Sequence, residues 1–209
     1  MNLFKVIASG RKKFQEETAS ALLAWFLNPS MEHGLGYEFL SRFLTGLQNS
    51  TGNTDLTDII NNLTPKLRSE VNDQSMNFSC SLEMSVPGLF IDVVLGLNDW
   101  VLAIENKIYS TSVSDHQLIR EYDGIKTTLP ESRVGMIYLV PVDAPDSPLD
   151  AKVQAIYDEL IPNTTDFKAL VTWQDNNFEN VPSIASIIRS ILDDESKGEI
   201  EPVSEYCRH

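Results

Sequence analysis

Two carboxylates and an ammonium fall where the sequence otherwise asks for burial. The run "LFIDVVLGL" (residues 89–97) places Asp92 amid apolar residues, and "VLAIENKI" (101–108) carries Glu105, Asn106 and Lys107. Both runs are short and β-prone, and the first is apolar on both faces, as a central strand is. Asn98-Asp99 between them folds the two into a hairpin. Strand side chains alternate, so Glu105 and Lys107 share one face and Asn106 takes the other. Asp92 and Glu105 then converge, with Lys107 one pleat away. A buried carboxylate is costly unless it is paired, hydrogen-bonded or bound to metal. Two at one point repel, and a divalent cation resolves the repulsion. Oxygen donors suit Mg²⁺ or Mn²⁺ better than Zn²⁺, and the backbone carbonyl of Asn106 offers a third ligand. Such an ion can polarise a phosphoryl oxygen and lower the pKa of a bound water. Lys107 would orient that water or offset negative charge in the transition state. The plainer alternative is a structural Asp–Lys or Glu–Lys pair within a sheet.

The elements around these residues follow from periodicity. "KKFQEETASALLAWFLNPS" reads as a helix with a wide apolar face, stopped by Asn28-Pro29. "MEHGLG" is a turn-rich connection, and "YEFLSRFLTGLQ" a second helix. Residues 48–65 read as loop with a short helix around Ile59. "KLRSEV", "FSCSLEM", "LFIDVVLGL" and "WVLAIENKI" read as strands joined by tight turns. "SVSDHQLIREYDGIKTTL" is a helix with Ser114 or Asp115 as N-cap. "VGMIYLV" is a buried strand, "LDAKVQAIYDEL" a helix, "FKALVTW" a strand and "VPSIASIIRSILDD" a last amphipathic helix. The expectation is an α/β fold, a mixed sheet flanked by helices, in a single domain over residues 1–209 with a loose acidic tail from 195.

The Asp, spacer and Glu-x-Lys arrangement resembles the PD-(D/E)XK nuclease superfamily, and the αβββαβ order resembles its restriction-endonuclease-like core. The superfamily's Asp, Glu and Lys would be Asp92, Glu105 and Lys107; Ile91 stands where its Pro would be. "ETASALLAWFLNPSMEHGLG" and "ENKI…SDHQLIREY" are similar to a prokaryotic branch with a Glu-Asn-Lys strand followed by Gln and Tyr on the next helix. The resemblance covers roughly residues 14–140. It implies a Mg²⁺- or Mn²⁺-dependent nuclease acting on DNA. Some members complete the metal site with a first-helix glutamate, for which Glu16 or Glu17 matches; Glu16 is preferred because it shares a helix face with Ser20. Ala19 stands where that branch often has a histidine. Gln117 and Tyr122 either help hold substrate phosphate or Lys107, as the resemblance suggests for Gln117, or form an ordinary helix face. Arg120 and Lys126 read as a solvated helix face, His33 as a turn-stabilising residue with Gly34 in an unusual backbone conformation, and His116 as a helix-surface residue. Glu83 is either a rim ion pair, slightly favoured, or a metal ligand or neighbour of one.

The bulk numbers bound the partners. The net charge is −14 over 209 residues, which argues against a broad nucleic-acid-binding surface. The acids are unevenly spread: residues 141–209 hold 14 acids and 5 bases, against 16 and 11 in residues 1–140. A locally neutral or basic cleft around "IENK" is therefore compatible with DNA. No DNA-reading module is recognisable, so sequence specificity would come from a partner protein or be weak. A homodimer would suit an enzyme that cuts both strands. No run approaches a membrane span, and Cys80 and Cys207 read as reduced thiols of a cytoplasmic protein. The competing function is a catalytically inactive nuclease-fold protein, an acidic interaction or scaffold subunit motivated by the acidic last third.

Overall fold

The computed structural model describes residues 16–63, 77–109 and 114–196. Six helices and five strands follow in chain order. They are α1 (Glu16–Leu27), α2 (Glu38–Thr51), α3 (Leu56–Leu63), β1 (Phe78–Val86), β2 (Leu89–Leu97) and β3 (Trp100–Asn106), then α4 (Gln117–Thr128), β4 (Arg133–Val140), α5 (Ala151–Glu159), β5 (Phe167–Thr172) and α6 (Ile184–Ser196). The expected strand at "KLRSEV", the start of the first helix before Glu16 and the tail beyond Ser196 lie outside the described residues. Helix α6 runs two residues into the stretch expected to be loose.

The sheet is mixed, in the order β1-β2-β3-β4-β5. The first three strands form an antiparallel meander, and β4 and β5 join in parallel. The parallel joins require crossovers, which α4 and α5 supply. Every residue of β3 is buried, as a central strand covered on both faces must be. One face packs Val93, Leu95, Leu102 and Ile104 under α1, α2, α3 and α6. The other packs Val94, Val101, Ala103 and Met136 under α4 and α5. The β3–β4–β5 contact is close: a Cβ on Gly135 would come 2.4 Å from Phe167 Cζ and 2.7 Å from Leu102 Cδ2.

The start of one helix differs from expectation. Helix α4 starts at Gln117, and its N-cap position is His116 in the left-handed region (φ 57°) with no side-chain cap. Ser114 instead donates to the Gln117 side chain at 3.2 Å, so neither Ser114 nor Asp115 caps the helix. Helix α5 shows the capping that α4 lacks, with Asp150 accepting from the N–H groups of Lys152 and Val153.

Candidate active site

The register of β2 and β3 decides what meets. Their last paired residues are Val93 and Ile104. The two strands part beyond this pair, and Asp92 and Glu105 are the next residue on each. Glu105 faces α4 through Gln117, and the Asp92 charge reaches it. The Asn106 backbone N–H donates to Asp92 Oδ2 at 2.8 Å, which locks the carboxylate to the end of β3. Lys107 follows, and its backbone N–H continues the ladder to Leu139 O at 2.8 Å.

Glu105 is 2% exposed and gathers two donors on one oxygen. Lys107 Nζ lies 2.5 Å from Glu105 Oε1, and Gln117 Nε2 donates to that oxygen at 2.5 Å. Glu121, one turn after Gln117 on α4, is buried against the same carboxylate and hydrogen-bonds it. Its Oε2 has no partner among the described residues, and neither has the hydroxyl of Tyr138. Tyr138 pairs with Glu105 in the β3–β4 register.

Burial and like charge set the protonation. Burial, with Asp92 adding to it, pushes Glu105 up to about 7. Glu121 lies well above the usual carboxylate range, through burial and then the Glu105 charge. Burial raises Asp92 as well, against the opposing pull of the Asn106 N–H and Lys107. For Lys107, burial disfavours the charge, but the adjacent Glu105 outweighs it and the ammonium lies above its ordinary value. The cluster is therefore a crowded set of carboxyls tied together by one cation and by retained protons.

The opposite face of β3 carries the scaffold. Asn106 Nδ2 donates to Ser20 Oγ at 3.0 Å and Glu16 O at 3.3 Å, and Trp173 Nε1 donates to Asn106 Oδ1 at 2.9 Å. Glu16 Oε1 accepts from the Ile108 N–H at 3.2 Å, and its charge is felt at both Asp92 and Lys107. Helix α1 is thus fastened to the end of β3 by its first turn. Glu17 is exposed, and its charge also reaches Asp92.

The family model for the PD-(D/E)XK nuclease superfamily matches residues 1–208. The chain belongs to the PD-(D/E)XK nuclease superfamily. No curated protein and no solved structure matches it significantly. The mixed five-stranded sheet flanked by helices agrees with the superfamily's restriction-endonuclease-like fold. Members of the PD-(D/E)XK superfamily are usually nucleases and typically use divalent metals, and the nuclease family implies a nucleic-acid substrate. Among the described residues no helix is long and apolar enough to cross a membrane.

Whether a divalent ion suits this PD-(D/E)XK site turns on its donors. No three Asp, Glu, His or Cys residues are arranged ready to hold a metal among the described residues. In this arrangement Lys107 and Gln117 occupy Glu105 Oε1, and the Asn106 N–H occupies Asp92 Oδ2. The donor chemistry nevertheless fits a hard cation, because the groups converging on the strand ends are carboxylate oxygens and one buried oxygen of Glu121 is unpartnered.

Several sequence candidates lie elsewhere. Tyr122 does not face the cluster: its hydroxyl donates to Asp166 Oδ2 at 2.6 Å and accepts from the Asn163 N–H at 2.9 Å. Lys126 pairs with the same Asp166 at 3.2 Å instead of lying on a solvated face. Burial opposes the Asp166 charge, but Tyr122, the Val134 N–H and Lys126 outweigh it and hold its pKa below the ordinary value. Arg120 is exposed and donates to Asp115 O. Glu83 is exposed in the left-handed region (φ 51°), with no ion pair among the described residues, so the rim ion pair is not found. His33 is buried and bridges its turn, from Asn28 O at 3.0 Å to the Leu35 N–H at 2.9 Å, with Gly34 at φ 77°. His116 is on the surface, paired with Glu159. Glu121, Tyr138 and Trp173 were absent from the sequence reading. Glu121 was within reach of it: Leu118, Tyr122 and Ile125 define the buried stripe of α4, and position 121 lies inside that stripe.

Proposed function

We propose that this chain is a divalent-metal-dependent nuclease that hydrolyses phosphodiester bonds in DNA. The observation that carries the reading is Glu105: a buried carboxylate within reach of the Asp92 charge at the parting of two strands, with Lys107 paired to it on the same face. Asp92 and Glu105 would hold Mg²⁺ or Mn²⁺, with the Asn106 carbonyl and Glu16 as further oxygens and exposed Glu17 as the alternative to Glu16. The ion, when bound, would supply charge neutralisation at the phosphate and a more acidic water.

The chain's own groups do the rest. Asn106 fixes Asp92 through its backbone N–H and is itself held by Ser20 and Trp173. Gln117 sets the rotamer of Glu105. Lys107 keeps its proton beside Glu105 and acts as a fixed positive charge that orients the attacking water or offsets charge on the phosphate. Glu16 fixes the first peptide after Lys107. A net charge of −14 makes the interaction with DNA local, and a partner protein is the route to sequence specificity.

The test is cleavage of supercoiled plasmid and of single-stranded DNA, with Mg²⁺ or Mn²⁺ against chelator, for wild type and Asp92→Asn. The reading expects cleavage only with metal, and a loss of at least about 100-fold in the variant. Metal binding without cleavage of either substrate would point to a missing partner or another phosphoester substrate; no metal binding by the wild type would favour the inactive scaffold instead, with the acid-rich last third as its contact surface.

A further inference from the structure

A cleft of about 380 Å³ lies on the α1–α6 side of the sheet, directly behind the Glu-Asn-Lys run. Leu22 and Phe26 of α1, Ile188 of α6, and Ile108, Trp173 and Gln174 line it. It is joined to the candidate active site by two bonds: Trp173 holds the Asn106 side chain, and Glu16 holds the Ile108 N–H. Ile108 is the residue after Lys107, so the cleft borders the end of the Glu-Asn-Lys run, on the sheet face opposite the Lys107 ammonium.

The lining selects the occupant. No charged residue lines the cleft among the described residues, in a chain with 30 acids and 16 bases. That disfavours a phosphate or a cation there. The volume falls within the range of about 300–1,000 Å³ typical of small-molecule sites. Two aromatic side chains and aliphatic walls suit a flat ring system. Gln174 Oε1 accepts from the Val142 N–H at 3.1 Å, which fixes the amide and leaves its NH₂ without a partner among the described residues. One planar, largely apolar group with hydrogen-bond acceptors on its edge matches this surface.

We propose that the cleft receives one nucleobase of the substrate strand. The substrate class is then nucleic acid in which that base is unpaired, because a base inside a duplex must leave the stack to enter. Trp173 and Phe26 contribute aromatic surface to the base, and Gln174 donates to its edge. This proposal rests on the nuclease reading above.

The test is equilibrium binding of a labelled single-stranded DNA of roughly 12 nucleotides, with Ca²⁺ present, as a single abasic position is walked along it. One abasic position is expected to weaken binding by roughly 10- to 100-fold, the range for loss of a stacked base. Ala185→Phe, which fills the cleft, is expected to weaken the intact strand equally and the sensitive abasic strand hardly at all. Indifference to every abasic position, or no binding of the strand by the wild type, overturns the proposal; so does an effect of Ala185→Phe that adds to the abasic one. The abasic series needs no folded variant. Metal-dependent plasmid cleavage, run alongside, reports on the nuclease reading separately.

Discussion

Replacing Glu121 by glutamine should stabilise the metal-free protein, by an amount that grows with pH. Glu121 is 1% exposed and lies against Glu105. In the unfolded chain both carboxyls ionise near 4.5; in the fold, burial and Asp92 raise Glu105 to about 7, and Glu121 lies well above its ordinary value. For an acid with a raised folded pKa, stability is fully present below the unfolded pKa and is lost as pH rises toward and through the folded one. For Glu105 alone, the rise from 4.5 to about 7 corresponds to about 3 kcal/mol. The amide in Glu121→Gln would keep the shape, donate an N–H to Glu105 without needing a retained proton, and remove one of the two like charges. The expected gain at pH 8 is on the order of 1–3 kcal/mol, the range for relieving an imperfectly satisfied buried polar group, and it shrinks toward zero near pH 4.5. His33, which burial keeps toward its neutral form, and Asp166 add their own pH dependence, but both cancel in the difference between variant and wild type. The assay is urea denaturation of both proteins in chelator between about pH 5 and pH 8. Equal stability at pH 8, or a gain that does not change with pH, would refute the reasoning.

Three further outcomes follow from the contacts. Lys107→Met should lower cleavage by at least about 100-fold yet bind Mn²⁺ no more weakly than wild type in calorimetry, because Glu105 Oε1 is released from its ion pair. Tyr122→Phe should leave metal binding and cleavage unchanged while costing about 1–3 kcal/mol in denaturation, since it removes only the bond to the Asp166 carboxylate and the one from Asn163. Gly135→Ala should destabilise by about 1–3 kcal/mol in the same assay, because its methyl group would overlap the side-chain ends of Phe167 and Leu102, both buried in the core.

The strands of the meander were legible because their chemistry is two-sided. Leu89–Leu97 is apolar at nearly every position, and a carboxylate inside such a run stands out. Alternation alone placed Glu105 and Lys107 on one face and Asn106 on the other, as the separate partners Gln117 and Ser20 now show. The start of α4 was not legible, since Ser114 and Asp115 both have capping side chains and only tertiary context chose a left-handed His116. Tyr122 misled for a related reason. Its place on the buried stripe was readable, but its hydroxyl partner Asp166 lies 44 residues on, and no local pattern reports that pairing. Glu121 was overlooked because a charged residue on a helix is ordinarily solvated. Trp173 could not be tied to Asn106 without knowing that β5 runs parallel to β4 beside β3.

The most direct test of the central claim is a calorimetric titration of Mn²⁺ into wild type and Asp92→Ala at neutral pH, without nucleic acid. The account predicts binding to the wild type that is lost in the variant, with protons released to the buffer as the crowded carboxyls ionise to ligate the ion. Binding that survives loss of Asp92, or no binding by the wild type at millimolar metal, would contradict it.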